Sequence, residues 1–396
     1  MMVLYGLGTT IGAGIYALIG ELAGISGYLA PAAFLLASCL AALTALSFAE
    51  LSSRYPRAAG AALYVQEGLS LQWLSTLVGI LVIIAGLVSS AALINAFTGY
   101  LTQFIELERN SAILLTVLIL GAFAAWGIVE SVMITVTLTL TGIFGLLLII
   151  FVGYDVLAEL PAHLPEFIPG VDFTSWGFIF AGTMLAFYAF IGFEDMVDVA
   201  EEIRDVKHNL PIAIMLTLVI TVFLYMLIMV IAVLSIPPEE LAQSSAPLAT
   251  LYQHHTGREA TLISFIGMFA IIDGALIQII MASRVLYGLS SRGQLPKIFS
   301  RVNPKTQTPL IATALAVLCV LTFSLIGRLS TLAETTSLLM LIVFSLINLS
   351  LWRIKQRERL LQTDPQTHAL NLPIWLPLLA FIASSLFVFI ELYKFL

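Results

Sequence analysis

The chain reads as an all-α polytopic membrane protein made of two halves of opposite topology. Three observations predict this. Apolar residues make up 60% of the 396 residues and charged residues only 10%, against about 25% charged in a soluble domain. Apolar runs near the length of a membrane-spanning helix recur eleven times, without the period-two alternation of a membrane β-barrel. Two of those runs, the first and the sixth, carry glycines near their middles and lie five spans apart.

The first run, 1–23, contains Gly8-Thr9-Thr10-Ile11-Gly12-Ala13-Gly14-Ile15-Tyr16. Each glycine gives up about 0.8–1.0 kcal/mol of helix propensity relative to alanine. Backbone groups freed in lipid must face protein, water or a ligand. The second run, 29–50, ends at Tyr55-Pro56-Arg57-Ala58-Ala59-Gly60, where Pro56 stops the helix and Gly60 allows a turn. The third run, 71–104, and the eighth, 259–289, are long enough to require tilt or an interfacial extension. The fourth and fifth, 111–127 and 131–154, are followed by a loop at 155–173 with Asp155, Glu159, Glu166 and Asp172 and no Lys or Arg.

The sixth run, 175–199, passes through Gly182 and Gly192 and then meets Glu194 and Asp195. A charge at the bilayer centre costs about 2.5–3.5 kcal/mol on insertion scales, so this helix is expected to be interrupted beside a wet cavity. The runs 210–236, 259–289, 307–327, 331–352 and 372–394 complete the set. Interrupted spans at matching places in two five-helix sets predict an inverted repeat: 1–155 as the first, 175–352 as the second, and 353–396 as a link with one extra helix, all within one transmembrane domain. The competing explanation for Gly8 and Gly12 is a small-xxx-small packing face.

Placing the N-terminus inside assigns thirteen Lys and Arg to the cytoplasm, among them Arg54, Arg204, Arg284, Lys297 and Lys355. Only Arg109, Arg258, Arg328 and Lys394 fall opposite. The positive-inside rule therefore predicts a cytoplasmic N-terminus and, with eleven spans, an extracytoplasmic C-terminus. The first run shows no basic segment or cleavage site of a signal peptide. Cys39 and Cys319 sit singly in apolar runs, and the adjacent His254 and His255 lack further ligands, so neither a disulfide nor a metal or other cofactor is expected. No nucleic-acid signature is present. No His–Glu–His grouping lies inside a span, which argues against a membrane-embedded enzyme.

Four stretches together carry a resemblance. They are Gly8–Tyr16; Ala49-Glu50-Leu51-Ser52-Ser53-Arg54 running into Tyr55–Gly60; Phe187–Asp195 running into Ala200-Glu201-Glu202; and Ala282-Ser283-Arg284-Val285-Leu286-Tyr287-Gly288 followed by Gly293–Lys297 and Pro304-Lys305-Thr306. In order and spacing, from residue 5 to about 350, the sequence resembles the amino acid–polyamine–organocation (APC) superfamily of permeases, which have the LeuT-type fold of 5+5 inverted repeats with broken helices one and six. The resemblance implies one substrate site between spans one, three, six, eight and ten. It implies that the amides of Ala13, Gly14 and Ile15, just past Gly12, hold a substrate carboxylate, as the N-terminus of a half-helix would. The carbonyls of Thr10, Ile11, Tyr188 and Ile191 would take the substrate ammonium, and Tyr188 matches the aromatic that closes over bound substrate.

The sequence departs from that pattern. Many proton-coupled relatives place a Lys in the fifth span; the matching position here is Gly142, and Val132 to Tyr154 contains no Lys, Arg, Asp or Glu. Asp273, in the eighth span, stands where relatives more often have a neutral polar residue. It is expected either to bind a proton during transport or to face a cationic part of the substrate. Glu194 is a second coupling or gating candidate, beside the gate. Against the family pattern the first half-span is short and a twelfth span is missing. The function expected is secondary transport of an amino acid or related amine across the plasma or inner membrane by alternating access, with protons or by exchange. The alternative is a non-transporting amino-acid receptor or assembly subunit that keeps the fold.

Overall fold

A computed structural model describes residues 1–56, 60–127, 132–361 and 370–393. Arg57, Ala58, Ala59 and Lys394, which entered the sequence reading, lie outside the described residues, as do the side chains of Ala13 and Glu202. Described residues form helices and no strands. In chain order the helices are α1 (Met2–Ile11), α2 (Ala13–Ser26), α3 (Ala30–Arg54), α4 (Gly60–Leu69), α5 (Gln72–Leu101), α6 (Arg109–Trp126), α7 (Val132–Gly153), α8 (Leu160–Phe167), α9 (Phe173–Tyr188), α10 (Val206–Ser235), α11 (Pro238–Ala242), α12 (Pro247–Thr256), α13 (Thr261–Ser291), α14 (Leu310–Ile326), α15 (Leu329–Leu360) and α16 (Trp375–Tyr393).

Among the described residues, nine helical stretches are long and apolar enough to cross a membrane. The first, Met2–Arg54, contains two of the expected spans, and Leu310–Ile326 is a shorter apolar helix. Among the described residues each of the eleven expected runs therefore carries a helix over much of its length, and the protein is an all-α polytopic membrane protein. The loops hold more structure than the sequence reading anticipated. Helix α8 lies in the acidic 155–173 segment, and α11 and α12 lie in 237–258, both of the latter opened by a proline in the first turn, where the missing N–H is not needed.

The first span is interrupted at one residue. Helix α1 ends at Ile11, Gly12 adopts φ −60° and ψ −83°, and α2 begins at Ala13. The sixth span departs further from a helix. It is α-helical only to Tyr188, then continues as turns and two 3₁₀ segments, Phe193–Val197 and Ala200–Glu202. Gly192, with φ +126°, is the pivot; a side chain is strained in that conformation.

Helices α5 and α13 pack along one another, as do α3 and α10, and α6 and α14, while α1 lies against the 3₁₀ turn at Phe193–Val197. Lipid is as apolar as leucine, so close van der Waals fit rather than water exclusion holds such helices together. The fit at the centre is aromatic. Phe48 meets Tyr64, Phe193 and Phe344 edge to face at centroid distances of 5.5–6.0 Å, and Phe34, Phe190 and Tyr225 form a second such group. Contacts at the ends sort the loops into two sets. Arg54 pairs with Glu358, and Arg357 donates to the Glu67 carbonyl, at one end. At the other, Arg109 donates to Asn95 Oδ1 and to the Gly327 carbonyl.

Candidate functional site

The two interruptions touch. Thr9 Oγ1 donates to the Gly192 carbonyl at 2.9 Å and also reaches the Gly6 carbonyl. A Cβ on Gly192 would sit 2.3 Å from the Thr9 carbonyl oxygen, and a Cβ on Gly14 would sit 2.3 Å from Ala189 Cα. The glycines at the break thus do both things the sequence allowed. They interrupt the helix, and they let neighbouring backbones approach closer than any side chain permits.

Around this junction the hydroxyls of three buried tyrosines are committed to backbone or to serine. Tyr225 of α10 donates to the Thr10 carbonyl at 2.8 Å. Tyr16 donates to the Gly142 carbonyl at 2.7 Å. Tyr188 lies 2.9 Å from Ser89 Oγ of α5. The Tyr188 carbonyl already accepts the Ile191 N–H at 3.1 Å. Each of these carbonyls keeps a second lone pair, so Thr10 and Tyr188 remain able to accept a further donor.

Two cavities flank the junction. The larger, about 110 Å³, is lined among others by Ser89 of α5, Ile191, Glu194, Asp195 and Asp198 after the second break, and Gln278 of α13. Its charged lining is wholly acidic; no Lys, Arg or His among the described residues reaches it. Glu194 is buried and its Oε2 accepts the Gly192 N–H at 2.8 Å. Gly60, Ala61 and Ala62 of α4 also line this cavity, and the Ala62 carbonyl accepts from Ser75 Oγ; they put it on the end of the molecule that carries Arg54 and Arg357. The smaller cavity, about 10 Å³, lies between the first break, α7 and α13, and Ile11, Gly12, Gly142 and Asp273 all line it.

The expected site residues therefore divide. Ile11, Gly12 and Asp273 share the small cavity; Ile191 and Glu194 share the large one; Thr10 and Tyr188 lie at the junction, held by Tyr225 and Ser89. The amides of Ala13, Gly14 and Ile15 open α2 at the break, where a helix N-terminus favours an anion. Sequence reasoning did not single out Thr9, Ser89, Tyr225 or Asp198. The first three are ordinary helix residues until tertiary packing brings partners to them. Asp198 had a visible signal, as a third carboxylate within five residues of Glu194 in an apolar run. Among the described residues no group of three or more His, Cys, Asp or Glu is placed to hold a metal ion.

Residues 2–393 match the amino acid permease family. The chain is 30% identical over 375 residues to the vacuolar cationic amino acid transporter 2 of Arabidopsis thaliana, an alignment covering 88% of this chain and 58% of that protein. It is 27% identical over 381 residues to the mitochondrial cationic amino acid transporter 3 of Arabidopsis thaliana, covering 88% and 60%. With cationic amino acid transporter 4 of Homo sapiens it shares 27% identity over 374 residues, covering 88% and 58%. The chain thus spans less than two thirds of the length of these relatives.

Proposed function

The chain belongs to the amino acid permease family, and from that premise we propose that it carries an amino acid or related amine across a membrane by alternating access around its two helix breaks. The observation that carries this reading is the direct contact of the breaks, Thr9 on Gly192 and Gly14 on Ala189, above a cavity whose charged lining is acidic. A substrate entering between them meets the amides of Ala13, Gly14 and Ile15 for its carboxylate. The remaining lone pairs of the Thr10, Ile11, Tyr188 and Ile191 carbonyls take its ammonium. Such donors and acceptors are fixed by helix ends and lose little freedom on binding.

The side chain of the substrate would then point towards Glu194, Asp195 and Asp198. Three carboxylates in a partly desolvated cavity disfavour an acidic side chain and favour an ammonium or guanidinium. The names of the relatives, cationic amino acid transporters, support the same substrate class. Tyr188, hydrogen-bonded to Ser89 of the cavity lining, is assigned to the gate. The charge distribution favours a cytoplasmic N-terminus, an extracytoplasmic C-terminus and a cavity facing the cytoplasm.

Reconstitution into liposomes tests this. Counterflow of labelled lysine, arginine, alanine and glutamate is measured against unlabelled internal substrate. The expected result is exchange of lysine and arginine, weak exchange of alanine and none of glutamate. Saturable binding without flux would replace transport with the receptor reading.

A further inference from the structure

Helix α13 borders a cavity on each of two faces. Gln278, Met281 and Val285 border the acid-lined one, whereas Ile280, Ser283, Arg284 and Tyr287 border another of about 370 Å³. The end of α6 at Gly127 and the segment leading to Pro309 complete its wall. We infer that this cavity holds the phosphate headgroup of an anionic phospholipid, with Arg284 as the cation that meets it. The binding is separate from the transport reading and stands or falls without it.

Helix lengths set the depth of the cavity. Helix α6 has 18 residues and α14 has 17, so each is about 26 Å long, close to the roughly 30 Å of a bilayer's hydrocarbon core. Arg109, at the start of α6, donates to the carbonyl of Gly327, just past the end of α14. The two helices are therefore antiparallel and level at that end. At the other end Gly127 and Pro309 meet on the cavity wall. Both sit at the edge of the hydrocarbon, where headgroups begin. Trp126, 75% exposed, marks the same depth, as tryptophans at membrane interfaces do. Ile311, Leu315 and Leu318 form an exposed apolar stripe along α14, starting beside Pro309. Acyl chains hanging from a headgroup in the cavity have that stripe to lie on.

The chemistry of the wall selects an anion. Arg284 is exposed, and among the described residues no Asp or Glu lines the cavity. Residues 274–333 include Arg284, Arg292, Lys297, Arg301 and Lys305 and no Asp or Glu. That positive field attracts anionic headgroups and opposes the choline of a zwitterionic one. Arginine presents its N–H donors in a planar fork that matches two phosphate oxygens. Arg284 is the one charged residue among the described lining. A single cation matches the single charge of a phosphodiester better than the double charge of free phosphate. The rest of the wall is fixed in place. Thr308 Oγ1 donates to the Ala125 carbonyl at 2.8 Å and lies 2.6 Å from Thr306 Oγ1. A Cβ on Gly127 would sit 2.7 Å from the Thr306 carbonyl oxygen, so this loop is seated directly on the end of α6.

Native mass spectrometry of the detergent-purified chain tests this with three probes: dioctanoyl phosphatidylglycerol, dioctanoyl phosphatidylcholine and inorganic phosphate. Wild type is expected to bind phosphatidylglycerol at least about tenfold more tightly than the other two. R284Q is expected to lose about tenfold in phosphatidylglycerol affinity, the worth of a hydrogen bond to a charged group. Arg284 is exposed, so R284Q is expected to keep the wild-type thermal midpoint. R292Q removes the same charge from a residue off the cavity wall and should stay within about twofold of wild type, since solvent and salt screen it. Equal binding of the two lipids by wild type overturns the inference without any variant. Equal losses in R284Q and R292Q overturn it too, because they assign binding to diffuse surface charge. Phosphate that displaces the lipid at equal concentration would make this a site for the free ion and overturn the lipid assignment.

Discussion

At the scale of single residues, Gly14 makes the sharpest statement. A Cβ there would lie 2.3 Å from Ala189 Cα and 2.6 Å from its Cβ, distances that rotamer changes cannot relieve because one contact is backbone. Gly14→Val must push α2 off the second break. Displacements near 1 Å at a reacting or binding site cost about a hundredfold in rate, so uptake is expected to fall by about that factor. Expression, insertion and a monodisperse profile in detergent are expected to persist, since the break lies inside an otherwise continuous helical frame. Gly177 of α9 is the control, because nothing lies within 4 Å of a Cβ built on it. Gly177→Ala should transport as wild type does. Wild-type affinity in Gly14→Val would show that the breaks need not meet.

At the scale of elements, two contacts fix how helices are held. Glu50, fully buried near the end of α3, accepts from Arg54 Nε at 2.9 Å, from Lys355 of α15, and from the Leu372 N–H at 3.0 Å before α16. Arg54 also pairs with Glu358. One carboxylate thus joins the ends of three membrane helices. Removing it leaves two cations without their shared partner, and breaking a buried pair costs about 3–5 kcal/mol. Glu50→Ala is expected to lower the thermal midpoint in detergent markedly, and Glu50→Gln less, since the amide oxygen still accepts. The second contact is the cap of α9. The Ser175 N–H and hydroxyl donate to Asp172 at 2.8 and 3.0 Å, and the backbone donor in particular holds this carboxyl below its ordinary range. A depressed carboxyl stabilises the fold fully above the ordinary aspartate pKa, about 3.9, and that stabilisation is lost as pH falls through the depressed value. Asp172→Asn, which caps without titrating, should flatten the acid slope of the unfolding midpoint below about pH 4; an unchanged slope would remove the cap from the account. Much of this level was legible beforehand. The spans followed from hydropathy, and the places of both breaks followed from glycine clusters that no lipid-facing helix would carry. The 3₁₀ course after Tyr188, the Thr9 bond to Gly192 and the shared carboxylate of Glu50 were not legible. Each depends on a partner more than a hundred residues away, and local propensity says nothing about which backbone carbonyl will arrive beside a given hydroxyl.

At the scale of the whole molecule, the packing has a regularity that local reading reached only through the breaks. Numbering the spans in order, α5 with α13, α3 with α10, and α6 with α14 are the third with the eighth, second with seventh and fourth with ninth, and the first touches the sixth. Four pairings at an offset of five, with α15 packing on α5 and α16 outside that pattern, fit an in-plane two-fold axis between halves 1–155 and 175–352 and support the 5+5 repeat as a proposal. It also bears on orientation. Alternating access requires that the acid-lined cavity, bordered by Ala61 and closed above by the joined breaks, open to one side at a time. In the orientation proposed from the Lys and Arg count, that side faces the cytoplasm. Ala61→Cys, in a background with Cys39 and Cys319 replaced, puts a thiol on the cavity wall where a Cβ already exists. A membrane-impermeant maleimide is expected to label it in inside-out vesicles and not in right-side-out ones. Excess lysine in the inside-out preparation should slow labelling, because a substrate held at the breaks occupies the same cavity. Labelling from the outer face without substrate would reverse the orientation. Equal labelling from both faces would mean a channel-like opening, for which contact between Gly14 and Ala189 leaves no path.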